Sequence, residues 1–181
     1  MLVLTVDDEL ELRFPDDAGT EEAYTAVMAN YEYLRKWSRW LTESFSLEDA
    51  RKFLERNRRE LEDGTGIHLR IVYGNKIVGE TGYHGMDRAS RSAEIGYWLA
   101  EDHMGRGIVT RCLERLLDYG FEDLGLNRVV IKCATENLKS QAIPERLGFT
   151  REGIERDGDW LHTKFVDQVV YSMLAREWVG R

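Results

Sequence analysis

Between Glu94 and Cys133 the chain reads as strand, glycine turn, long amphipathic helix and strand, and this passage restricts the fold more than any other segment. Ala93-Glu94-Ile95-Gly96-Tyr97-Trp98-Leu99 has the character of a central strand, and it leads through Glu101-Asp102 into Met104-Gly105-Arg106-Gly107. From about Arg106 to Leu124, Val109, Cys112, Leu113, Leu116, Leu117 and Leu124 recur at helical spacing, and Gly125 falls where a left-handed cap belongs. Arg128-Val129-Val130-Ile131-Lys132-Cys133 then reads as a buried strand. Two strands joined through a helix imply a parallel or crossover arrangement within a sheet that is otherwise antiparallel.

The turn between the first strand and the helix has its own chemistry. The first turn of a helix leaves N–H groups unpaired at the positive end of the macrodipole, and Gly105 and Gly107 let an anion approach that backbone. A plain strand-to-helix turn has the same glycines, so the pattern alone is a weak signal. A phosphate-binding loop of the Walker type needs Gly-Lys-Ser/Thr, and a dinucleotide fingerprint needs a third glycine where Thr110 stands; neither is met.

With 25 Lys and Arg against 33 Asp and Glu, the net charge is −8. That balance argues against general affinity for nucleic acid or an anionic membrane, and favours cationic partners. Anions are then bound through backbone more readily than through a basic surface. The opening residues, Met1 to Asp8, lack a basic lead and a long apolar stretch, and no apolar run approaches a membrane span, so a cytoplasmic protein is expected. Cys112 and Cys133 form no close-spaced pair, and no His/Asp/Glu cluster has zinc spacing, so no metal is expected.

At 181 residues, with Pro15 and Pro144 as its two prolines and no linker or repeat, the chain is expected to form one domain, residues 1–181. Leu10 to Phe14 alternates as a strand, and Ala23, Val27, Tyr31 and Leu34 form a helical stripe after Thr20 as N-cap. Ser46-Leu47-Glu48-Asp49 opens a second helix that Gly64 stops. Ile67–Tyr73 and Lys76–Tyr83 are joined at Gly74-Asn75, a tight hairpin turn. A short helix over 138–147 precedes two final strands, 149–156 and 163–174, with their turn at Asp157-Gly158. The order is β, α, α, β, β, β, α, β, α, β, β, an α/β (α+β) chain built on a mixed sheet.

Several segments together resemble one family, the GNAT superfamily of N-acetyltransferases, and within it the RimJ/RimL type that acetylates protein N-termini. They are Trp37-Ser38-Arg39-Trp40, Gly79-Glu80-Thr81-Gly82-Tyr83-His84-Gly85, Glu94 to Leu99, the glycine turn, Asn137-Leu138-Lys139-Ser140, Leu147-Gly148-Phe149, Glu152-Gly153, and Asp167 with Val169 to Met173. The resemblance implies a mostly antiparallel sheet flanked by helices, with splayed central strands forming a cleft for acetyl-CoA. The family's pyrophosphate turn falls on Met104, Gly105, Arg106, Gly107, Ile108 and Val109, with Thr110 next in the helix. Met104 and Val109 depart from its pattern, the first by removing a polar brace and the second by adding bulk near the phosphates.

The resemblance further implies that the backbone of Tyr97, Trp98 and Leu99 pairs with the pantetheine arm as an added strand does, and that the N–H of Trp98 or Leu99 polarises the thioester carbonyl. Asn137 falls where the family contacts the cofactor. Ser140 falls near the thioester sulfur, where a hydroxyl can protonate the leaving thiolate; helix capping is the plainer role for both. Pro144 has no N–H for the Ser140 carbonyl, which is left for cofactor or water. Lys139 and Arg146 are candidates to meet the anionic cofactor.

Asp159 matches the family's glutamate base, shortened by one methylene, with Glu94 and Glu80 as alternatives. A base has modest work to do on an α-amine of pKa about 8, since the neutral form costs about 1.4 kcal/mol at pH 7, against about 4.6 kcal/mol for a lysine. His84 reads as a structural histidine, Trp37 and Trp40 as core, acceptor-groove or dimer-face residues, and both cysteines as buried hydrophobes rather than acyl carriers. The expected function is direct acetyl transfer from acetyl-CoA to a primary amine, foremost a protein or peptide N-terminus such as that of a ribosomal protein. The alternatives are a small amine such as a polyamine or aminoglycoside, and an acyl-CoA sensor without turnover. Whether the chain forms a homo-oligomer is left open by the sequence.

Overall fold

The computed structural model describes residues 2–178, so Met1 of the opening segment and residues 179–181 at the other end of the expected domain lie outside them. Eight strands form one sheet: β1 (Val3–Thr5), β2 (Leu10–Arg13), β3 (Ile67–Tyr73), β4 (Lys76–Asp87), β5 (Ser92–Leu99), β6 (Arg128–Ala134), β7 (Thr150–Leu161) and β8 (Lys164–Leu174). Their spatial order is β1-β2-β3-β4-β5-β6-β8-β7. Every pairing is antiparallel except β5 with β6. The helices are α1 (Thr20–Ala29), α2 (Tyr31–Arg35), α3 (Leu47–Asp63), α4 (Ile108–Asp118), α5 (Leu138–Arg146) and α6 (Ala175–Trp178). Among the described residues, no helix is long and apolar enough to cross a membrane.

The parallel pair is short, and its shortness makes the cleft. Ser92, Ala93 and Glu94 lie opposite Arg128, Val129 and Val130, after which β5 and β6 part. From there β5 stays with β4 through Leu99, while β6 stays with β8 through Ala134. The N–H of Ala100 donates to the Val78 carbonyl at 2.8 Å, which fixes the alternation of the β4/β5 ladder. Trp98, Gly96 and Glu94 accordingly face β4 with their backbone groups, and Tyr97 and Leu99 turn theirs into the gap.

Side-chain alternation assigns the two faces of the sheet. Tyr83 reaches α4, donating its hydroxyl proton to the Leu116 carbonyl at 2.8 Å, and Tyr97 reaches Ser140 on α5. On the other face His68, opposite Gly82, reaches Glu60 on α3. That second face also carries Arg70, Glu80, His84, Glu94, Gly96 and Trp98. The main core lies between the sheet and α4, where Ile108, Val109, Cys112, Leu113, Leu116 and Leu117 are all buried. A smaller core of Val27, Leu34 and Leu41, with Trp98 packed against it, seats α1 and α2 on the opposite face.

Local sequence explains most of the elements and several departures. Ser46 and Asp49 form the reciprocal capping box at the start of α3, and Gly64 ends it at φ 67°. Thr20 lies inside α1, with Gly19 at the cap position, and its hydroxyl donates to the Asp16 carbonyl. The stripe from Ala23 to Leu34 is split in two at Asn30, whose side-chain carbonyl accepts the N–H of Glu101 at 2.8 Å. A side chain bonded across the fold in this way competes with continuing the helix. Trp37 and Trp40 therefore sit in the connection after α2 and not on a helix.

The helix expected to run to Leu124 ends at Asp118 and widens into a π turn, Tyr119–Asp123. Gly120 lies there because a Cβ would stand 2.1 Å from the Tyr83 hydroxyl. The last hairpin also differs from its sequence reading. Asp157, at φ 53°, makes a bulge in which the register jumps from Glu155 opposite Gln168 to Asp159 opposite Val166, and the chain turns instead at His162-Thr163. The N–H of Asp157 donates to the Asp167 carboxylate at 2.9 Å, which holds the bulge. Beyond that bulge, Asp159 faces the cleft.

Candidate active site

The gap between β5 and β6 opens into a cavity of about 1810 Å³ that runs through the sheet and is lined from both faces. At one end lies the glycine turn. Gly105 and Gly107 have φ of 75° and 70°, in the left-handed region that favours glycine, and Gly107 is the cap residue of α4. The first intrahelical bond of the turn runs from the Arg111 N–H to the Gly107 carbonyl at 3.0 Å, so the amides of Ile108, Val109 and Thr110 precede the helical ladder.

The two departures from the family's turn have structural outlets. Met104 packs against the main core, and Val109 is buried in it at 7% exposure instead of filling the turn. Positive charge is supplied by Arg146, which donates to the Thr110 hydroxyl at 2.9 Å and lines the cavity. The Arg106 side chain turns back to the Asp102 carbonyl at 3.0 Å and lies outside the cavity lining. Lys139 sits over the Tyr33 ring at 5.8 Å. The remaining sequence candidates, Glu94, Tyr97, Trp98, Leu99, Asn137, Ser140 and Asp159, all line the cavity.

At the mid-point a compact cluster joins β5, β6 and α5. Asn137 caps α5, its side chain accepting the Ser140 N–H at 3.2 Å. The Ser140 hydroxyl lies 3.1 Å from the Tyr97 hydroxyl and 3.2 Å from the Cys133 sulfur. The Tyr97 hydroxyl donates to the Ser140 carbonyl at 2.8 Å, so the acceptor that Pro144 leaves without its helical N–H is taken by protein, not left for cofactor or water. Burial raises both the Tyr97 phenol and the Cys133 thiol, which are neutral at pH 7. Sequence alone assigns only the backbone of Tyr97 to the site; its position 43 residues from Ser140 gives no local signal of the side-chain contact.

The opposite face carries the carboxylates. Glu94 faces His84 Nε2 at 3.3 Å and Lys132 at 3.9 Å, and Lys132 is held at 2.8 Å by Glu155. Glu80 accepts the indole N–H of Trp98 at 3.3 Å, and burial raises its carboxyl against the opposing pull of that bond and of Arg70. Asp159 is tethered: one oxygen meets Arg39 at 3.3 Å and accepts the N–H of Trp160 at 2.9 Å. Tyr24, Trp40 and Phe45 form an aromatic wall, with ring centroids 6.0 Å and 5.5 Å apart. Backbone and hydroxyl donors on one face and carboxylates on the other thus meet across one split in the sheet, a geometry that can bring two reactants together from opposite faces.

Comparison with known proteins gives the class. Residues 9–150 match the acetyltransferase (GNAT) domain family. The chain is 36% identical over 181 residues, 99% of each chain, to the putative ribosomal N-acetyltransferase YdaF of Bacillus subtilis. A solved structure of RimL, a ribosomal L7/L12 α-N-protein acetyltransferase, in complex with coenzyme A disulfide-linked to one of its cysteines, superposes with a TM-score of 0.93 at 27% identity, over 97% of this chain and 99% of that one. The microcin C7 self-immunity acetyltransferase MccE, in complex with acetyl-CoA and AMP, has a TM-score of 0.89 at 33% identity over 94% and 98%. The chain belongs to the GNAT acetyltransferase family, and its RimJ/RimL-type resemblance extends through sequence and fold. It is an acetyl-CoA-dependent N-acetyltransferase.

Proposed function

We propose that the protein transfers acetyl from acetyl-CoA to the α-amine of a protein or peptide N-terminus, a ribosomal protein being the foremost candidate, and that residues 1–181 form one acetyltransferase domain. The observation that carries the acceptor assignment is the near-full-length likeness to a ribosomal L7/L12 α-N-protein acetyltransferase. The cavity fits it. Its acceptor side opens on carboxylates that attract a cationic amine, and an α-amine loses its proton at about 1.4 kcal/mol at pH 7, within reach of a weak base.

In this reading the diphosphate of the cofactor is gripped by the amides at the start of α4, with Arg146 beside them. The pantetheine arm pairs with the outward backbone of Tyr97 and Leu99, and the N–H of Leu99 or Tyr97 polarises the thioester carbonyl; Trp98, whose N–H faces β4, is the weaker candidate. Asn137 holds the start of α5, and Ser140 gives its hydroxyl proton to the departing thiolate. Direct transfer suits the site, because Cys133 and Cys112 are buried thiols raised by burial, Cys112 to about 12.

A second reading is a small amine joined to a planar group. It is supported by the AMP bound to the 33% identical acetyltransferase and by the aromatic wall of Tyr24, Trp40 and Phe45. Thiol release from acetyl-CoA is the test, measured with peptides beginning in Ser or Ala, with polyamines and aminoglycosides, and with aminoacyl nucleotides. The α-amine peptides are expected to give the highest kcat/KM. Cofactor binding with no release under any acceptor would instead identify a sensor.

A further inference from the structure

We propose that His84, held by Glu94, is the group that takes the proton from the attacking amine; this rests on the acyl-transfer reading above and names the base within it. His84 and Glu94 are direct cross-strand partners, and Glu94 is the last β5 residue paired with β6. The pair therefore stands at the apex of the split, on the face that carries α3, and both residues line the cavity. His84 Nε2 lies 3.3 Å from Glu94 Oε1. The carboxylate lies on the Nε2 side of the ring, so its negative charge favours the imidazole proton on Nε2 and leaves the lone pair on Nδ1.

That lone pair is uncovered because the neighbouring position is glycine. A Cβ at Gly96 would stand 3.4 Å from His84 Cε1 and 3.7 Å from Nδ1, and the missing methyl leaves the nitrogen open beside the gap. The surroundings suit a group that gains charge. The His68 ring stacks on His84 at 6.4 Å and 13°, and is bonded to Glu60 at 3.1 Å, whose other oxygen faces Arg56 at 3.7 Å. Burial holds the His68 imidazole below its usual range, so it adds no competing positive charge at neutral pH. Lys132 faces Glu94 but is engaged by Glu155. Glu94, Glu60 and Glu155 against Lys132 and Arg56 leave one net negative charge to receive an imidazolium. Asp159, by contrast, has Arg39 and the Trp160 N–H on the same oxygen.

In the step, the amine nitrogen forms the C–N bond at the thioester carbonyl carbon and passes its proton to His84 Nδ1. The C–S bond breaks, sulfur leaves with the bonding pair, and the Ser140 hydroxyl protonates it. The imidazolium returns its proton to water, and water re-protonates Ser140, so the net products are an amide and a thiol.

The test measures thiol release against pH with an α-amine peptide for the wild-type chain, His84→Ala, Gly96→Ala and Asp159→Asn, with coenzyme A affinity by calorimetry. His84→Ala is expected to lower kcat/KM about 100-fold, to reduce the acid limb of the profile to that of the substrate amine alone, to keep its coenzyme A affinity, and to regain rate with added imidazole. Gly96→Ala makes ordinary van der Waals contacts, so it is expected to fold and bind coenzyme A while losing turnover through the covered nitrogen. A His84→Ala rate near wild type, or an acid limb reduced to that of the substrate in Asp159→Asn alone, overturns the assignment and leaves the acyl-transfer reading standing. Coenzyme A binding by the wild type with no thiol release from any amine overturns that reading and the assignment with it.

Discussion

The hydroxyl of Tyr97 on β5 donates to the main-chain carbonyl of Ser140 on α5 at 2.8 Å, and the Ser140 hydroxyl lies 3.1 Å from the same phenol oxygen. One phenol thus holds two groups of the serine. Pro144 leaves that carbonyl without the N–H that would otherwise compete for it from four residues on, so the phenol is its donor. A proline that looks like a defect in a nine-residue helix makes the carbonyl available, and the tyrosine that uses it lies in the strand assigned to the cofactor.

Ser140→Ala is expected to lower kcat about 100-fold, within the range for losing a general acid, with the coenzyme A dissociation constant within about twofold. Tyr97→Phe leaves the part-buried Ser140 carbonyl without its donor, a cost of about 1 kcal/mol, and is expected to lower both turnover and melting temperature. Pro144→Ala separates the roles: it restores the helical donor, so stability is expected to hold while kcat falls as Ser140 loses its fixed orientation. Steady-state kinetics, calorimetry and thermal melts of the three variants check this, and a Pro144→Ala enzyme with unchanged kcat would count against the orienting role.

The ion pair of Arg128 with Glu152 gives stability a defined pH dependence. Both guanidinium nitrogens meet the carboxylate, at 2.7 and 2.6 Å, and the Ser172 hydroxyl donates to it at 2.8 Å, joining β6, β7 and β8. These bonds lower the folded-state carboxyl to about 2, below its unfolded value of 4.5. A depressed folded pKa means that the contribution is full above the unfolded value and is lost as pH falls from about 4.5 toward about 2. Because both side chains are about one third exposed, screening limits the effect to about 1 kcal/mol. Glu152→Gln is expected to melt lower than wild type at pH 6 and to converge with it near pH 2; parallel melting curves across that range would contradict the linkage.

Much of the fold is legible in the amino-acid order, and the features that are not share a cause. The passage from Glu94 to Cys133 announces itself because one apolar period switches to another around two glycines, and Ser46 with Asp49 does so because a capping box is local. Asn30 breaking a helical stripe, Asp157 forming a bulge and Tyr97 meeting Ser140 each depend on a partner distant in the chain or across a hairpin. His84 looks like an isolated histidine in the sequence because its pairing with Glu94 is set by strand register, which alternation leaves free by steps of two. The side of the cavity proposed for the cofactor is largely made of contiguous backbone, which local pattern reveals; the side proposed for the acceptor is made of cross-strand side chains, which local pattern does not.

Asn57 offers a stability prediction away from the cavity. It lies on the inner face of α3 with no exposed area, and its amide nitrogen and oxygen have no hydrogen-bond partner among the described residues. Burying an unsatisfied amide costs about 1–3 kcal/mol, whereas an apolar side chain of similar volume carries no such penalty. Asn57→Leu is therefore expected to raise the urea midpoint, with a gain of about 1 kcal/mol, at an unchanged slope and unchanged kcat. A fall in the midpoint would show that the amide is satisfied in solution.

Gly107 and Gly74 form a matched pair for testing the glycine turn. Both are left-handed, at φ 70° and 54°, and an added Cβ would meet nothing within 4 Å at either. Alanine in that region costs roughly 1–2 kcal/mol at each, so both substitutions are expected to lower the melting temperature by similar amounts. They differ in place: Gly74 lies in the β3–β4 hairpin turn, while Gly107 caps α4 beneath the amides assigned to the diphosphate. Only Gly107→Ala puts a methyl group at the turn to which the proposed reading assigns the diphosphate, and about a tenfold weaker coenzyme A affinity is expected for it, equivalent to about 1.4 kcal/mol. Calorimetric titration with coenzyme A separates the two effects. Equal affinities for Gly107→Ala and Gly74→Ala would show that the diphosphate is held elsewhere than at the head of α4.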